Sequence, residues 1–366
     1  MLKTNNILFP NEESASELVN DLIGNLTLSF GIRGGSYMGK TYFLNLLIKK
    51  IQEKSKDDVI FFPIFLELSK LRLNQMENLS EVLINGTIQK IFELTGLKFV
   101  ISNEKTLNEQ EPLESIINAI EADHDKNNIL KSSIYHIIWI FDDIQVLKNI
   151  EWKDRLLSIL RSYVDQYSKK FNLIISFKEP DDLIGKMAGS KLYYILESKT
   201  LQNLTIVEQK KHIQSKFTDI VMNDQVNSQV YEVTGGNIYF TNKFINYLLK
   251  FEKKIEILDQ KKIVQYIDFL NNEFSQDFKK QFDELAILDK LILQRMLNKP
   301  YLEPYSEIWI KNQLETTEDQ LLLRQSISSL ISKGIINYID YNYYIASDLI
   351  RKGFSFLLQS NFNNNI

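Results

Sequence analysis

One stretch limits what this chain can fold into more than any other: Gly34-Gly35-Ser36-Tyr37-Met38-Gly39-Lys40-Thr41. It fills every fixed position of G-x-x-x-x-G-K-[ST]. Before it, Leu26, Leu28, Phe30 and Ile32 alternate with smaller or polar residues, which predicts a strand ending at the loop. After it, Phe43, Leu44, Leu47, Ile48 and Ile51 recur at helical spacing, which predicts a helix from Lys40 to about Lys54. Strand, glycine loop and helix in that order require an α/β unit.

The residue types suit phosphate chemistry. Glycines let the backbone turn so that successive N–H groups face an anion, where a Cβ would obstruct the approach. The following helix adds the positive end of its dipole. Lys40 is expected to reach the β- and γ-phosphates of ATP, and the Thr41 hydroxyl to ligate Mg²⁺. The nucleotide-binding set then runs from Gly34 through Thr41 to Tyr42.

A second stretch, Tyr135-His136-Ile137-Ile138-Trp139-Ile140-Phe141-Asp142-Asp143, reads as a buried strand ending in two adjacent carboxylates. Beside bound phosphates, Asp142 would hold Mg²⁺ through water, and Asp143 would orient or deprotonate the attacking water. The bland alternative is a strand that reaches solvent at an Asp-Asp turn. Phe171–Phe177 predicts another buried strand; its resemblance to the strand that in P-loop ATPases ends in a polar sensor of the γ-phosphate implies Ser176 or Lys178 for that role, and Lys178 reads equally well as an exposed turn residue.

The 366 residues are enough for two or three domains. With 44% hydrophobic and 25% charged residues the composition is that of an ordinary globular chain. A net charge of −4 gives no electrostatic footprint for nucleic acid over the whole molecule. There are no cysteines, which excludes disulfides and thiolate zinc sites, and His124, His136 and His212 are too scattered for a histidine metal centre. No apolar run reaches transmembrane length and no signal-peptide pattern opens the chain, so the expectation is a cytoplasmic protein without membrane contact.

Along the chain, residues 11–23 predict an amphipathic helix capped by Asn11 or Ser14. Val59–Leu68 is a nearly continuous apolar run, the mark of a buried parallel strand. Leu79–Leu94 and Trp152–Tyr167 predict helices, and 101–130 reads as a polar, acidic surface insertion with a short helix around Leu113–Ile120. Strands alternating with helices predict a doubly wound parallel sheet with the ligand at the carboxyl ends of its strands. After about residue 205 the pattern is all helical: Thr205 caps Val207–Phe217, and Gly235-Gly236-Asn237 precedes Phe240–Phe251. The run from Lys253 to Lys262 reads as a solvated turn. From about Asp283, helices at Glu284–Leu297, Glu307–Leu314 and Asp319–Lys333 lead to Gly334 as a C-cap. Ile335–Ile339 and Tyr343–Ala346 then flank a turn, a hairpin that completes a winged-helix arrangement.

The whole pattern resembles the AAA+/STAND class of P-loop ATPases, in particular prokaryotic STAND-like ATPases and archaeal-type ATPases related to origin-recognition proteins. The resemblance rests on GGSYMGKT, IIWIFDD and FNLIISF, and on Leu201–Thr205 and Thr234–Tyr239. It implies an ATPase core over 1–204, a helical lid over 205–282 and a winged-helix domain over 283–366. Ile238 stands where the lid motif carries its proline. Phe9-Pro10-Asn11-Glu12 lacks the Gly-Arg often found before the first helix, and Asp143 replaces the usual Glu, whose longer reach would favour faster hydrolysis. Arg161 and Lys169 are candidates for an arginine-finger role by position only.

Two functions compete. In the first, the chain is a slow ATPase switch, alternating between ATP and ADP, that signals to a separate effector protein through domain rearrangement or self-assembly. In the second it is a DNA-associated ATPase, loader-, initiator- or transposition-regulator-like, whose winged helix grips duplex DNA. A scaffold that binds nucleotide without turnover is the third, plainer reading. The expected recognition helix carries Glu315, Glu318 and Asp319 at its front and only Arg324 and Lys333 as bases. That surface is poorly equipped to neutralise phosphates, which favours protein contacts, although Lys253, Lys254, Lys261 and Lys262 form a basic cluster elsewhere.

Overall fold

The computed structural model describes residues 7–55, 59–71, 76–96, 134–178, 182–185, 191–217, 223–251, 260–298, 304–314, 316–339 and 342–363, and within 113–121 all but 115 and 119. Most of the polar stretch 101–130, Lys253, Lys254, Glu315 and the hairpin tip at 340–341 lie outside the described residues, as do the side chains of Glu318 and Lys262. Two compact units result. The first comprises Met1–Leu8, Glu12–Arg33 and Lys40–Thr200; the second comprises Phe9–Asn11, Gly34–Gly39 and Leu201–Ile366.

In the first unit the apolar runs become strands β1 (Ile7–Leu8), β2 (Phe30–Arg33), β3 (Val59–Glu67), β4 (Ile134–Asp142), β5 (Phe171–Phe177) and β6 (Glu197–Leu201). They form one sheet in the order β1-β6-β2-β5-β4-β3. β5 runs parallel to β2, with Phe30 opposite Ile174, and parallel to β4, with Ile137 opposite Phe171. β2 pairs in parallel with β6, and β3 with β4. Every residue of β5 is buried, as its unbroken apolar sequence requires of a central strand. β3 carries Pro63, which has no N–H to give, and it stands at the sheet's edge where that omission leaves no neighbour unserved.

β2 is shorter than the alternation from Leu26 predicts. The carbonyls of Leu26 and Leu28 instead accept from the buried side chain of Asn172, at 2.7 and 2.8 Å, so a side chain replaces the ladder there. Helices α1 (Glu12–Gly24) and α2 (Lys40–Lys54) turn Ala15, Leu18, Val19 and Leu22, and Phe43, Leu44, Leu47 and Ile51, into the core. Each fully buried leucine or phenylalanine contributes about 1.5–3 kcal/mol. Trp139 of β4 is buried and donates its indole N–H to Thr87 of the helix Met76–Thr95 at 3.3 Å, which removes the penalty of an unpaired donor in the core.

The second unit is mainly helical. Thr205 caps the helix Ile206–Lys216 in a full capping box with Glu208. Helices Asp224–Thr234, Ile238–Phe251, Gln260–Glu273, Ser275–Asp283, Ile287–Leu297, Glu307–Asn312 and Thr317–Ser332 follow. Gly334 adopts φ +70° after the last of these, as its C-cap role demands, and the N–H of Ile335 closes back on Leu330 O at 3.0 Å. β7 (Ile336–Ile339) and β8 (Asn342–Ile345) then pair antiparallel, and Tyr305 bridges to Tyr343 beside them. A further helix, Asp348–Asn363, has no counterpart in the sequence reading. Its signal was present in Ser347-Asp348 followed by Leu349, Ile350 and Phe354 at helical spacing. One buried apolar core runs through this unit from Ile213 to Phe354, so residues on both sides of 283 share it.

Candidate nucleotide site

The glycine loop leaves β2 at Arg33 and enters α2 at Lys40. Gly39 has φ +79°, a conformation glycine takes without strain, and Tyr37 has φ +66°, which a tyrosine rarely takes. Tyr37 is held there by its ring, whose centroid lies 4.7 Å from that of Tyr239 and 5.8 Å from that of Phe274. Burial, and then its bond to Asp277, push the Tyr37 hydroxyl up to about 12. The N–H of Gly35 donates to the carbonyl of Ser332, and a Cβ at Gly35 would lie 2.7 Å from the Cα of Lys333. Met38 packs its sulfur against Gly334, while Pro10 and Ile238 lie beside Gly39. Gly34 is buried, and Ser36 is half-buried.

In the first unit, Lys40 opens α2 and is 7% exposed, with its ammonium 3.9 Å from Asp143 Oδ1. Burial pulls its pKa down; Asp143 and then Asp142 oppose the shift, and the charge of Lys178 assists it. Asp142 ends β4 fully buried. Thr41 donates its hydroxyl to one carboxylate oxygen of Asp142 and Ser176 donates to the other. Burial raises the Asp142 pKa, and these two hydroxyl bonds work against the rise.

Asp143 sits in the left-handed region, φ 60° and ψ 52°. Its N–H donates to Ser176 Oγ at 2.9 Å, and its Oδ1 accepts from Gln145 Nε2 at 2.7 Å. The left-handed turn separates the two carboxylates: Asp142 faces the hydroxyls, and Asp143 faces Lys40. Of the two sensor candidates, Ser176 touches both acidic residues. Lys178 is half-buried, gives its backbone N–H to Asp182 at 3.2 Å, and reaches Lys40 only through its charge. Tyr42 is half-buried near Glu12, with burial and then that carboxylate raising its pKa. Arg161 pairs with Asp165 on its own helix at 3.6 Å. Gln145 escaped the sequence reading, and its only signal was its place two residues after the acidic pair.

The donor set in the first unit consists of hard oxygens, one hydroxyl and one carboxylate, with the Lys40 ammonium in the same unit. That chemistry fits a triphosphate with Mg²⁺. Among the described residues no group of three or more His, Cys, Asp or Glu side chains forms a metal site, and no helix is long and apolar enough to cross a membrane.

No family model matches the chain, and no curated protein matches it in sequence. Among solved structures, a Walker-type ATPase of Pyrococcus abyssi is similar over 94% of this chain and 95% of its own, with a TM-score of 0.57 and 14% identity. The Orc1 protein of Aeropyrum pernix in complex with DNA aligns over 95% of this chain and 93% of its own, with a TM-score of 0.45 and 13% identity. At such identities the likeness to the first of these is one of fold: the chain has the α/β P-loop fold of a Walker-type ATPase.

Proposed function

We propose that this chain is an ATP-binding and slowly ATP-hydrolysing switch of the AAA+/STAND class. In this reading it comprises a core over 1–204, a lid over 205–282 and a winged-helix module over 283–366. The observation that carries the reading is the engagement of Gly35 by the Ser332–Gly334 turn: the phosphate-binding loop from Gly34 to Gly39 packs with C-terminal residues in one unit. A ligand that reshapes this loop differentially favours one arrangement of the turn that touches it, which is the condition for a switch.

The chain's own groups have distinct parts in the chemistry. Lys40, with its ammonium destabilised by burial, gains most from an anionic phosphate placed beside it. Thr41 and Asp142 would hold Mg²⁺, which when bound neutralises charge on the phosphates. Ser176 fixes the two acidic residues in their different orientations. Asp143 would orient the attacking water, and Gln145 holds one of its oxygens.

A separate protein is the favoured receiver of the signal. Arg324, a base of the expected recognition helix, pairs with Glu307 at 2.9 Å, and Lys333 is held by Ser329 at 2.6 Å, with Asp289 at 3.9 Å. Leu321 and Ile308 on the same module are 80% and 72% exposed. Apolar surface beside a helix whose two bases, Arg324 and Lys333, are paired suits a protein partner better than a phosphate backbone. Limited proteolysis of the full chain with and without Mg·ATP tests the reading. ATP should alter cleavage between residues 251 and 283. An unchanged pattern at saturating ATP removes the switch, and a salt-resistant, sequence-selective complex with duplex DNA replaces the partner.

A further inference from the structure

Two residues of the glycine loop take the left-handed backbone, Tyr37 at φ +66° and Gly39 at φ +79°. Glycine does so freely, whereas a Cβ makes that conformation costly. A left-handed residue in a tight turn helps aim successive N–H groups at one point, the concave form that holds an anion. At Tyr37 the loop therefore carries strain, which the groups around its side chain must offset.

Those groups belong to helices far along the chain. Gly34–Gly39 lie in the same compact unit as Leu201–Ile366. The Tyr37 ring centroid is 4.7 Å from that of Tyr239, 6.1 Å from that of Phe240 and 5.8 Å from that of Phe274. Tyr239 and Phe240 open the helix Ile238–Phe251, and the buried Phe274 stands at the joint between Gln260–Glu273 and Ser275–Asp283. Beyond the rings, the Tyr37 phenol donates to the carboxylate of Asp277, which is half-buried in the first turn of Ser275–Asp283. Three helices thus close on one side chain of the loop.

We propose that Asp277 is a positioning residue for nucleotide binding, holding the glycine loop in its phosphate-ready form through Tyr37. The proposal rests on the reading of the loop as the nucleotide site and names its regulation. A shift of Ser275–Asp283 that withdraws Asp277 and Phe274 removes what offsets the left-handed Tyr37, and the loop relaxes. Apparent affinity then falls with the fraction of chains whose loop keeps the competent form. By linkage, bound nucleotide holds Ser275–Asp283 in place by the same factor.

The test titrates the full chain with fluorescent N-methylanthraniloyl-ATP and Mg²⁺. Asp277→Ala deletes one hydrogen bond that supports the loop, so Kd should rise about three- to tenfold. Its kcat at saturating ATP should not change, because Asp277 is not among the groups assigned to Mg²⁺ or to the attacking water. Tyr37→Phe keeps the ring and loses the phenol, so it should match Asp277→Ala, and the double variant should be no weaker than either. Tyr37→Gly should bind more tightly than Tyr37→Ala: both lack the ring, and only glycine takes φ +66° without strain. Residues that merely pack would give additive losses and would rank glycine at or below alanine. Wild-type affinity in Asp277→Ala overturns the proposal, and so does an additive double variant. If Tyr37→Ala does not fold, the cycle of Asp277→Ala and Tyr37→Phe decides alone. No binding by the wild-type chain removes the nucleotide reading and the proposal with it, whereas binding that ignores Asp277 removes the proposal only.

Discussion

Thr41 donates its hydroxyl to the carboxylate of Asp142, closing a separation of 101 residues between the first turn of α2 and the end of β4. Two hard oxygen groups meet there, at the head of a helix that begins with a buried lysine. The arrangement makes the nucleotide chemistry testable residue by residue.

Lys40→Ala should weaken ATP binding without unfolding the chain. The lost charge-assisted bonds are worth roughly 1.5–3 kcal/mol, which is about a 10- to 150-fold rise in Kd. Removing an ammonium that burial already disfavours should leave the melting temperature close to wild type. Titration with a fluorescent ATP analogue and Mg²⁺ measures the first effect and differential scanning fluorimetry the second. Equal affinities would remove the nucleotide assignment from the loop.

The two acidic residues should separate by phenotype. Asp143→Asn preserves shape and removes the basic oxygen, so ATP should stay bound while hydrolysis slows by about 10²–10⁴. Asp142→Asn should instead weaken the Mg²⁺ dependence of binding, since its carboxylate is the one that faces Thr41. Single-turnover hydrolysis and a Mg²⁺ titration distinguish them. Wild-type rates in both variants would place the catalytic carboxylates elsewhere.

Asp348 should make stability fall as pH rises. Burial, reinforced by Glu232 and opposed by Arg351, lifts its carboxyl to about 6. The folded chain therefore holds this proton more tightly than the unfolded one, and the contribution is fully present below about pH 4 and lost as pH rises through about 6. Asp348→Asn should stabilise the chain by about 1–2 kcal/mol at pH 7–8, after allowance for partial exposure, and by nothing near pH 4. Urea titrations at the two pH values check this, and an equal effect at both would dismiss it.

Two glycines should respond in opposite ways to alanine. Gly235 has φ +61°, and a Cβ there would fall 1.7 Å from the carbonyl oxygen of Ala346, so the turn after Asp224–Thr234 interlocks with the chain leaving β8. Gly235→Ala should destabilise by about 3 kcal/mol or more, from left-handed strain plus displaced backbone. Gly24, at the end of α1, has nothing within 4 Å of its missing Cβ. Gly24→Ala should be neutral or stabilising by about 0.5–1 kcal/mol. Chemical denaturation of both variants reads the contrast.

The chemistry-bearing segments and the elements that present them are legible in the order of the residues alone. Gly39 and Lys40 are specified by what a tight anion-facing turn requires within a few residues, and β4 and β5 are legible as apolar runs because a strand covered on both faces has no polar side to show. Gly334 announced the end of its helix, and Thr205 with Glu208 the start of another, for equally local reasons. What these segments meet is fixed by the assembled fold. That Ser176, rather than Lys178, touches both Asp142 and Asp143 follows from β5 lying between β2 and β4, and strand order in a parallel sheet is fixed by crossovers and packing rather than by any short pattern. The shortened β2, the left-handed Asp143 and the hold of Ser332 on Gly35 have the same origin. In each, a group far away in sequence supplies the partner (the Asn172 side chain, the Ser176 hydroxyl and the Ser332 carbonyl), and the identity of that partner is set by the free energy of the assembled core rather than by the residues on either side.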